Sequence, residues 1–203
     1  MTHREYAVNM TETFPPAAAA DRGRRAGARE RILASARDLF RAQGINATGI
    51  DAIVAGAGAA KGSVYYNFDG KTAIVAAYLE TELDRWREAA ADADSQSAGA
   101  DVRVGAFFDA LARSIEDRTF VGCPFTNAVV EQPDWAPVRE IARRYRQELH
   151  EHVGRLLGRG ASDDLVMRIV ILYEGAIMGA KISADAVPVL CARELALDLV
   201  GGA

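Results

Sequence analysis

Residues Thr48 to Lys71 read TGIDAIVAGAGAAKGSVYYNFDGK, and this stretch decides the fold. Ile50, Ile53 and Val54 fall at helical spacing, Thr48 stands where an N-cap belongs with Asp51 three positions on, and Ala57 and Gly58 supply a tight turn. A second short helix is predicted from about Ala60 to Tyr66. Upstream, Ile32, Leu33, Ala36, Leu39 and Phe40 make the apolar stripe of an amphipathic helix that starts at Arg29 and stops at Gly44. Three such helices, the last two joined by a few residues that include glycine, form a helix-turn-helix arrangement.

Working outward, the rest of the chain reads as longer helices. Ile74, Val75, Tyr78, Leu79, Leu83 and Trp86 mark one that ends in the Ala/Asp/Ser stretch 89–100; Val104, Phe107, Phe108, Leu111 and Ile115 mark the next. A short helix opens at Gly122-Cys123-Pro124 and closes before Pro133, and a long stripe from Val138 to Leu157 breaks at Gly158 and Gly160. Residues 163–182 and 185–200 complete the set, with Asp163 and Asp185 as expected N-caps. No period-2 run persists, so the predicted fold is all-α: a helix-turn-helix domain followed by a helical body. The expected division is a flexible arm over 1–27, a helix-turn-helix domain over 28–72, and a helical body over 73–203.

The 203 residues are 50% hydrophobic and 26% charged, which is globular composition. No apolar run approaches the ~18 residues of a membrane span. Thr13 to Ala20, with two prolines, is no secretory h-region, so the expected location is cytoplasmic. Two cysteines, Cys123 and Cys191, make neither a disulfide framework nor a zinc pattern. Charge is uneven: residues 1–71 hold ten Lys/Arg and seven Asp/Glu, whereas the remainder is acidic enough to bring the net charge to −4. Five arginines fall from Arg22 to Arg31. A basic end on an acidic body points to a polyanion at that end. Arg22, Arg24, Arg25 and Arg29 are read either as an arm entering a minor groove or as a tail giving diffuse phosphate attraction.

The 48–71 segment, together with ILASARDLFRAQG at 32–44, resembles the DNA-binding domain of TetR-family transcriptional regulators; the resemblance covers residues 29–87. It implies a diverse helical C-terminal part that binds a ligand and dimerises. The residues point the same way. Helix-turn-helix proteins set the second short helix in the major groove, N-terminal residues against base edges. Lys61 and Ser63 lie there, Lys61 as donor to guanine or phosphate, and Gly62 lets the backbone come close. Tyr65, Tyr66 and Asn67 are placed for phosphates and a thymine methyl, and Thr48 and Lys71 for phosphate clamping. One tyrosine is expected to pack against the domain, Tyr65 in preference; Ile53, Val64 and Phe68 are core; and Asn67 has an alternative reading as a C-terminal cap. Ala60 departs from the family's usual Ser or Thr, and Asn67 stands where His is common.

Helix 163–182 is apolar almost all round, so residues 163–200 are the expected homodimer interface, with Gly175, Ala176, Gly179 and Ala180 allowing close approach. A small-molecule effector is expected among Phe107, Phe108, Leu111, Phe125, Trp135, Tyr145 and Tyr173, with Asn127 and Glu131 as polar candidates. Cys123, near a helix start, reads as a packing residue or as a redox or electrophile sensor. An enzyme is the rival class. Neither metal spacing nor a phosphate loop nor a serine elbow supports it, and His150 and His152 do not share a helix face. No cofactor or metal is expected. The sequence-level reading is therefore a repressor that binds a pseudo-palindromic duplex operator as a dimer and is released by a small molecule.

Overall fold

The computed structural model describes residues 17–93, 99–116 and 120–202. They form nine helices and, among the described residues, no strand: α1 (Ala17–Ala47), α2 (Ile50–Gly56), α3 (Lys61–Asn67), α4 (Gly70–Ala93), α5 (Ala100–Glu116), α6 (Pro124–Glu131), α7 (Ala136–Leu157), α8 (Asp163–Ser183) and α9 (Val187–Gly201).

The first helix starts well ahead of Arg29, the position its apolar stripe indicates. Ala17 to Ala20 are the strongest helix formers, and a helix turn needs no core to form around them. Residues 1–16 of the expected arm lie outside the described residues, as do the side chains of Arg22, Arg24 and Arg25. At the other end the predicted stop is real. Gly44 sits at φ 86°, a left-handed conformation that costs glycine little, and the chain bends there so that Ile45 turns inward.

Helices α1 to α3 pack around Ile32, Ala36, Phe40, Ile53, Val64 and Phe68, all buried. Tyr78 of α4 meets the Phe40 ring edge-on at 5.4 Å, which carries this small core into the body. Beyond Tyr78, α4 packs against α7 through Leu79 and Leu83, while α9 lies against both α5 and α8. One apolar cluster runs without interruption from Ile32 to Ala196. Each fully buried Leu, Ile or Phe in it contributes roughly 1.5–3 kcal/mol relative to exposure.

Three expected caps shift by one residue. Gly49, not Thr48, caps α2; Ser162, not Asp163, caps α8, its hydroxyl accepting the Leu165 N–H at 3.2 Å. Ala186 stands at the α9 N-cap position, yet Asp185 still does the chemistry, its Oδ1 accepting the Val187 N–H at 2.9 Å. Of the three cap positions only Ser162 uses its own side chain; Gly49 and Ala186 have no polar side chain with which to cap.

Candidate nucleic-acid interface and regulatory body

The recognition geometry begins with α1, which holds the α2–α3 pair by polar contacts along one side. The Ser35 hydroxyl donates to the Ile53 carbonyl at 3.0 Å, and Arg31 Nε donates to the Ala57 carbonyl at 3.3 Å. Gly56 is required for this approach, since a Cβ there would stand 2.4 Å from Ser35 Oγ. At the far end the Arg29 guanidinium lies 5.3 Å from the centre of the Phe68 ring. With Val64 and Phe68 buried beneath it, α3 is fixed in direction and turns its other side outward.

That outer side carries most of the residues singled out from sequence. Gly62 is open, with nothing within 4 Å of the place a Cβ would take. Tyr65 and Tyr66 are 56% and 62% exposed. The expectation that Tyr65 packs against the domain is thus corrected: Val64 and Phe68, one turn apart, already fill the inner face and leave no room for a phenol. Ser63 is half-buried. Asn67 Nδ2 donates to the Ser63 carbonyl at 2.7 Å within the last turn of α3, and Phe68 is the C-cap residue. Lys61 Nζ pairs with Asp51 Oδ1 at 2.7 Å, and this hydrogen bond holds the ammonium above its ordinary pKa. Composition gave no hint of that partner, because Asp51 reads there as part of a capping box.

Thr48 takes a different place from the one expected. Its side chain is fully buried, and its hydroxyl donates to the Gly44 carbonyl at 2.7 Å while accepting from Gln43 Nε2 at 3.1 Å. The bend at Gly44 frees that carbonyl from the helix ladder, and the nearest hydroxyl satisfies it. Lys71, at the start of α4, donates to the Asn46 carbonyl at 3.4 Å.

Asn46 is also where the head meets the body, a junction the sequence did not reveal. The Glu131 carboxylate, at the end of α6, accepts the Asn46 N–H at 2.7 Å; Asn46 Nδ2 donates to the Glu131 carbonyl at 3.2 Å; and the Gln132 amide donates to Asn46 Oδ1. A Cβ on Gly44 would stand 3.0 Å from a Glu131 oxygen, so the close approach depends on glycine.

In the body, the aromatic residues expected to line a pocket are mostly packed on one another. Phe107 stacks on Tyr173 with centroids 4.2 Å apart, and Phe125 stacks on Tyr145 at 4.1 Å. Phe108 is fully buried against both Phe107 and Tyr173, and Leu111 is buried with them. Trp135, half-buried, is the N-cap residue of α7. Burial drives the phenols of Tyr145 and Tyr173 well above the usual tyrosine range, so both stay neutral. Trp86 of α4 meets Tyr145 edge-on at 5.4 Å. His152 is buried between Trp86 and Phe107, whereas His150 faces Asp163 at 3.3 Å. Of the expected pocket set, Tyr145 lines a narrow cleft, together with Cys123, Asn127, Glu174, Ile177 and Lys181, whose open volume is only about 20 Å³. Lys181 Nζ donates to Asn127 Oδ1 there at 2.6 Å. Cys123, the N-cap residue of α6, is half-buried in it, and Cys191 is exposed on α9.

Helices α8 and α9 leave an apolar face uncovered: Ile171, Gly175, Met178 and Ile182 on α8, and Val187, Leu190, Cys191 and Leu195 on α9. The small residues divide differently from expectation. Ala176 and Ala180 are buried, and a Cβ on Gly179 would stand 2.8 Å from Pro188, so these three serve the contact of α8 with α9 inside one chain. Gly175 alone of the four is open. A bulky charge at Gly179 or Ala176 therefore damages the subunit itself and is no clean probe of self-association.

Among the described residues no three His, Cys, Asp or Glu gather as metal ligands, and no helix is long and apolar enough to cross a membrane. Comparison with known proteins agrees with the geometry. The family described as bacterial regulatory proteins, tetR family, matches residues 32–78. No curated protein matches the chain. Among solved structures, a TetR-family transcriptional regulator from Streptomyces coelicolor is 32% identical, with a TM-score of 0.75 over 87% of this chain and 94% of that one. A TetR transcriptional regulator from Chloroflexus aurantiacus is 27% identical, with a TM-score of 0.76 over 88% and 96%. The reduced form of NemR from E. coli shares the fold at 20% identity, with a TM-score of 0.73 over 85% and 96%. With α3 exposed above a three-helix core, a helical body behind it and a relative this similar along nearly its whole length, the chain belongs to the TetR family of transcriptional regulators.

Proposed function

We propose that this regulator is a repressor that binds a pseudo-palindromic operator as a homodimer and is released by a small apolar or aromatic molecule. The observation that carries the reading is the outer face of α3, where Gly62 has open space beside it and Tyr65 and Tyr66 are more than half exposed. In this reading Lys61 and Ser63 meet base edges, Gly62 allows close approach, and Tyr65, Tyr66, Asn67 and Lys71 hold phosphates or a thymine methyl. Thr48 supports them from beneath, fixing the start of α2 through the Gly44 carbonyl. The uncovered α8–α9 face supports a two-fold dimer whose heads reach half-sites about 34–36 Å apart, or a multiple of that.

The effector takes a place beside Tyr145, where the narrow cleft must widen to admit it, and by favouring that widened arrangement of the body it shifts the population of head spacings. Helix α4 supports that link: it starts at Lys71 and reaches the aromatic cluster at Trp86. The test is selection of duplexes from a random pool by the full chain, followed by titration of the recovered site at several salt concentrations. Lys71→Ala should reduce the salt slope by about 0.9 per head. Failure of the folded protein to select any duplex overturns the proposal.

A further inference from the structure

Between Thr48 and Asn67 the chain has only two charged residues, Asp51 and Lys61, and they are bonded to each other across the α2–α3 pair at 2.7 Å. The face that would meet base edges is therefore electrically neutral. A carboxylate on such a face works against binding unless it has a use, because it repels the phosphates on either side. We infer that Asp51 is a specificity-determining residue acting as one unit with Lys61, the lysine donating to guanine O6 or N7 while the carboxylate accepts from the cytosine N4 amino group of the same base pair. This rests on the DNA-binding reading proposed above.

The donor and acceptor count fits. Lys61 Nζ has three protons, and its bond to Asp51 uses one; Asp51 keeps its second oxygen and further lone pairs. Guanine O6 and cytosine N4 adjoin in the major groove of one pair, so an ammonium and a carboxylate already in contact match them side by side. Both side chains are well exposed, 59% for Lys61 and 79% for Asp51, and lie at the first turns of α3 and α2. An exposed pair of this kind is held loosely enough to adjust on a duplex. Asp51 also keeps Lys61 from taking a phosphate at random sites, where no cytosine amino group would engage the carboxylate.

The experiment compares the full-length wild type with Asp51→Ala and Asp51→Asn, first by selection from a random pool and then by anisotropy titration. The wild type should prefer G·C to A·T at one position of each half-site by about 5- to 150-fold. In Asp51→Ala that preference collapses, affinity for unrelated duplexes rises, and the salt slope steepens by about 0.9 per head as the freed lysine takes a phosphate. Asp51→Asn, which keeps the side chain's shape but not its charge, should show the same steeper slope. A residue that merely supported folding would weaken all sites together and leave base preference alone. If both variants select the wild-type sequence with the wild-type slope, the Asp51–Lys61 unit is overturned while DNA binding stands. If the wild type selects nothing, both readings fall.

Discussion

Replacing Glu131 by alanine tests whether α6 holds the DNA-binding head. The carboxylate accepts the Asn46 N–H at 2.7 Å, while the two other bonds of the junction use the Glu131 carbonyl and the Gln132 amide and survive the substitution. A hydrogen bond to a charged group contributes about 1.5–3 kcal/mol where water is excluded. Asn46 is exposed, so water replaces the lost acceptor and the cost falls to about 1 kcal/mol. That corresponds to about a fivefold rise in the local opening constant. Native-state hydrogen exchange reads it directly: the Asn46 amide should lose about fivefold protection, with global unfolding in urea changed by no more than ~1 kcal/mol. Because the Asn46 carbonyl also accepts Lys71 Nζ at 3.4 Å, the start of α4 should loosen with it. Glu131→Gln keeps a neutral acceptor and should fall between wild type and alanine. An Asn46 amide that exchanges at the wild-type rate in Glu131→Ala would refute the idea that this carboxylate ties head to body.

Three other substitutions address the rest of the molecule. Ile171→Glu puts a charge on the uncovered α8 face and should give monomers in sedimentation with little operator affinity; an unchanged dimer, or a wild type that is already monomeric, counts against the α8–α9 interface. Phe108→Ala removes a fully buried ring and should cost about 3–5 kcal/mol in urea denaturation, since Phe107 and Tyr173 are pinned by their own stacking; a loss below ~1 kcal/mol would mean the cluster collapses into the space. Glu148 accepts from Arg87 at 2.7 Å, which holds its carboxyl below the ordinary value of 4.5. The α4–α7 tie therefore stabilises the fold above that pH and is lost as pH falls through the lowered value. Arg87 is exposed, so the difference between wild type and Glu148→Gln should stay under about 1 kcal/mol at pH 7 and vanish once the pH lies below the lowered value.

The helices and the inner face of the head were legible because burial repeats at helical period: Ile32, Ala36, Ile53, Val64 and Phe68 each occupy the core place their spacing predicts. What the sequence hides is which of several competent partners a polar group takes. Thr48 has the chemistry of a cap and a clamp, but the bend at Gly44 offers it a bare carbonyl, and the nearer acceptor wins. Glu131 reads as a pocket polar residue and does border a cleft with Asn127, but its carboxylate also takes the Asn46 N–H, far away in sequence. The aromatic positions 107, 108, 125, 145 and 173 share the spacing of pocket walls and of core packing alike. Only the stacking distances show that they mainly fill one another's space. Gly175 and Gly179 likewise look equivalent, and it is Pro188 of α9 that makes one internal and leaves the other open.

The ties between head and body are unequal, and this bears on how an effector moves the heads. Toward α4, the head is held by Arg37 Nε on Glu82 at 3.0 Å, with Arg85 on the same carboxylate oxygen at 2.6 Å, and by Phe40 against Tyr78. Arg85 lies on α4 with Glu82 and stays paired with it, so parting α1 from α4 loses the Arg37 bond and the Phe40–Tyr78 contact. Toward α6, the head is held by a few solvent-accessible hydrogen bonds at Asn46, of about 1 kcal/mol each. When the body rearranges, the weaker contact yields first. Under the proposed function, α4 and the head would then travel together about the aromatic cluster at Trp86, with α6 as a catch that holds one of their positions. On the same proposal, an effector beside Tyr145 would press on the start of α6 at Cys123, while Glu131 stands at the other end of that helix, two turns from the stimulus.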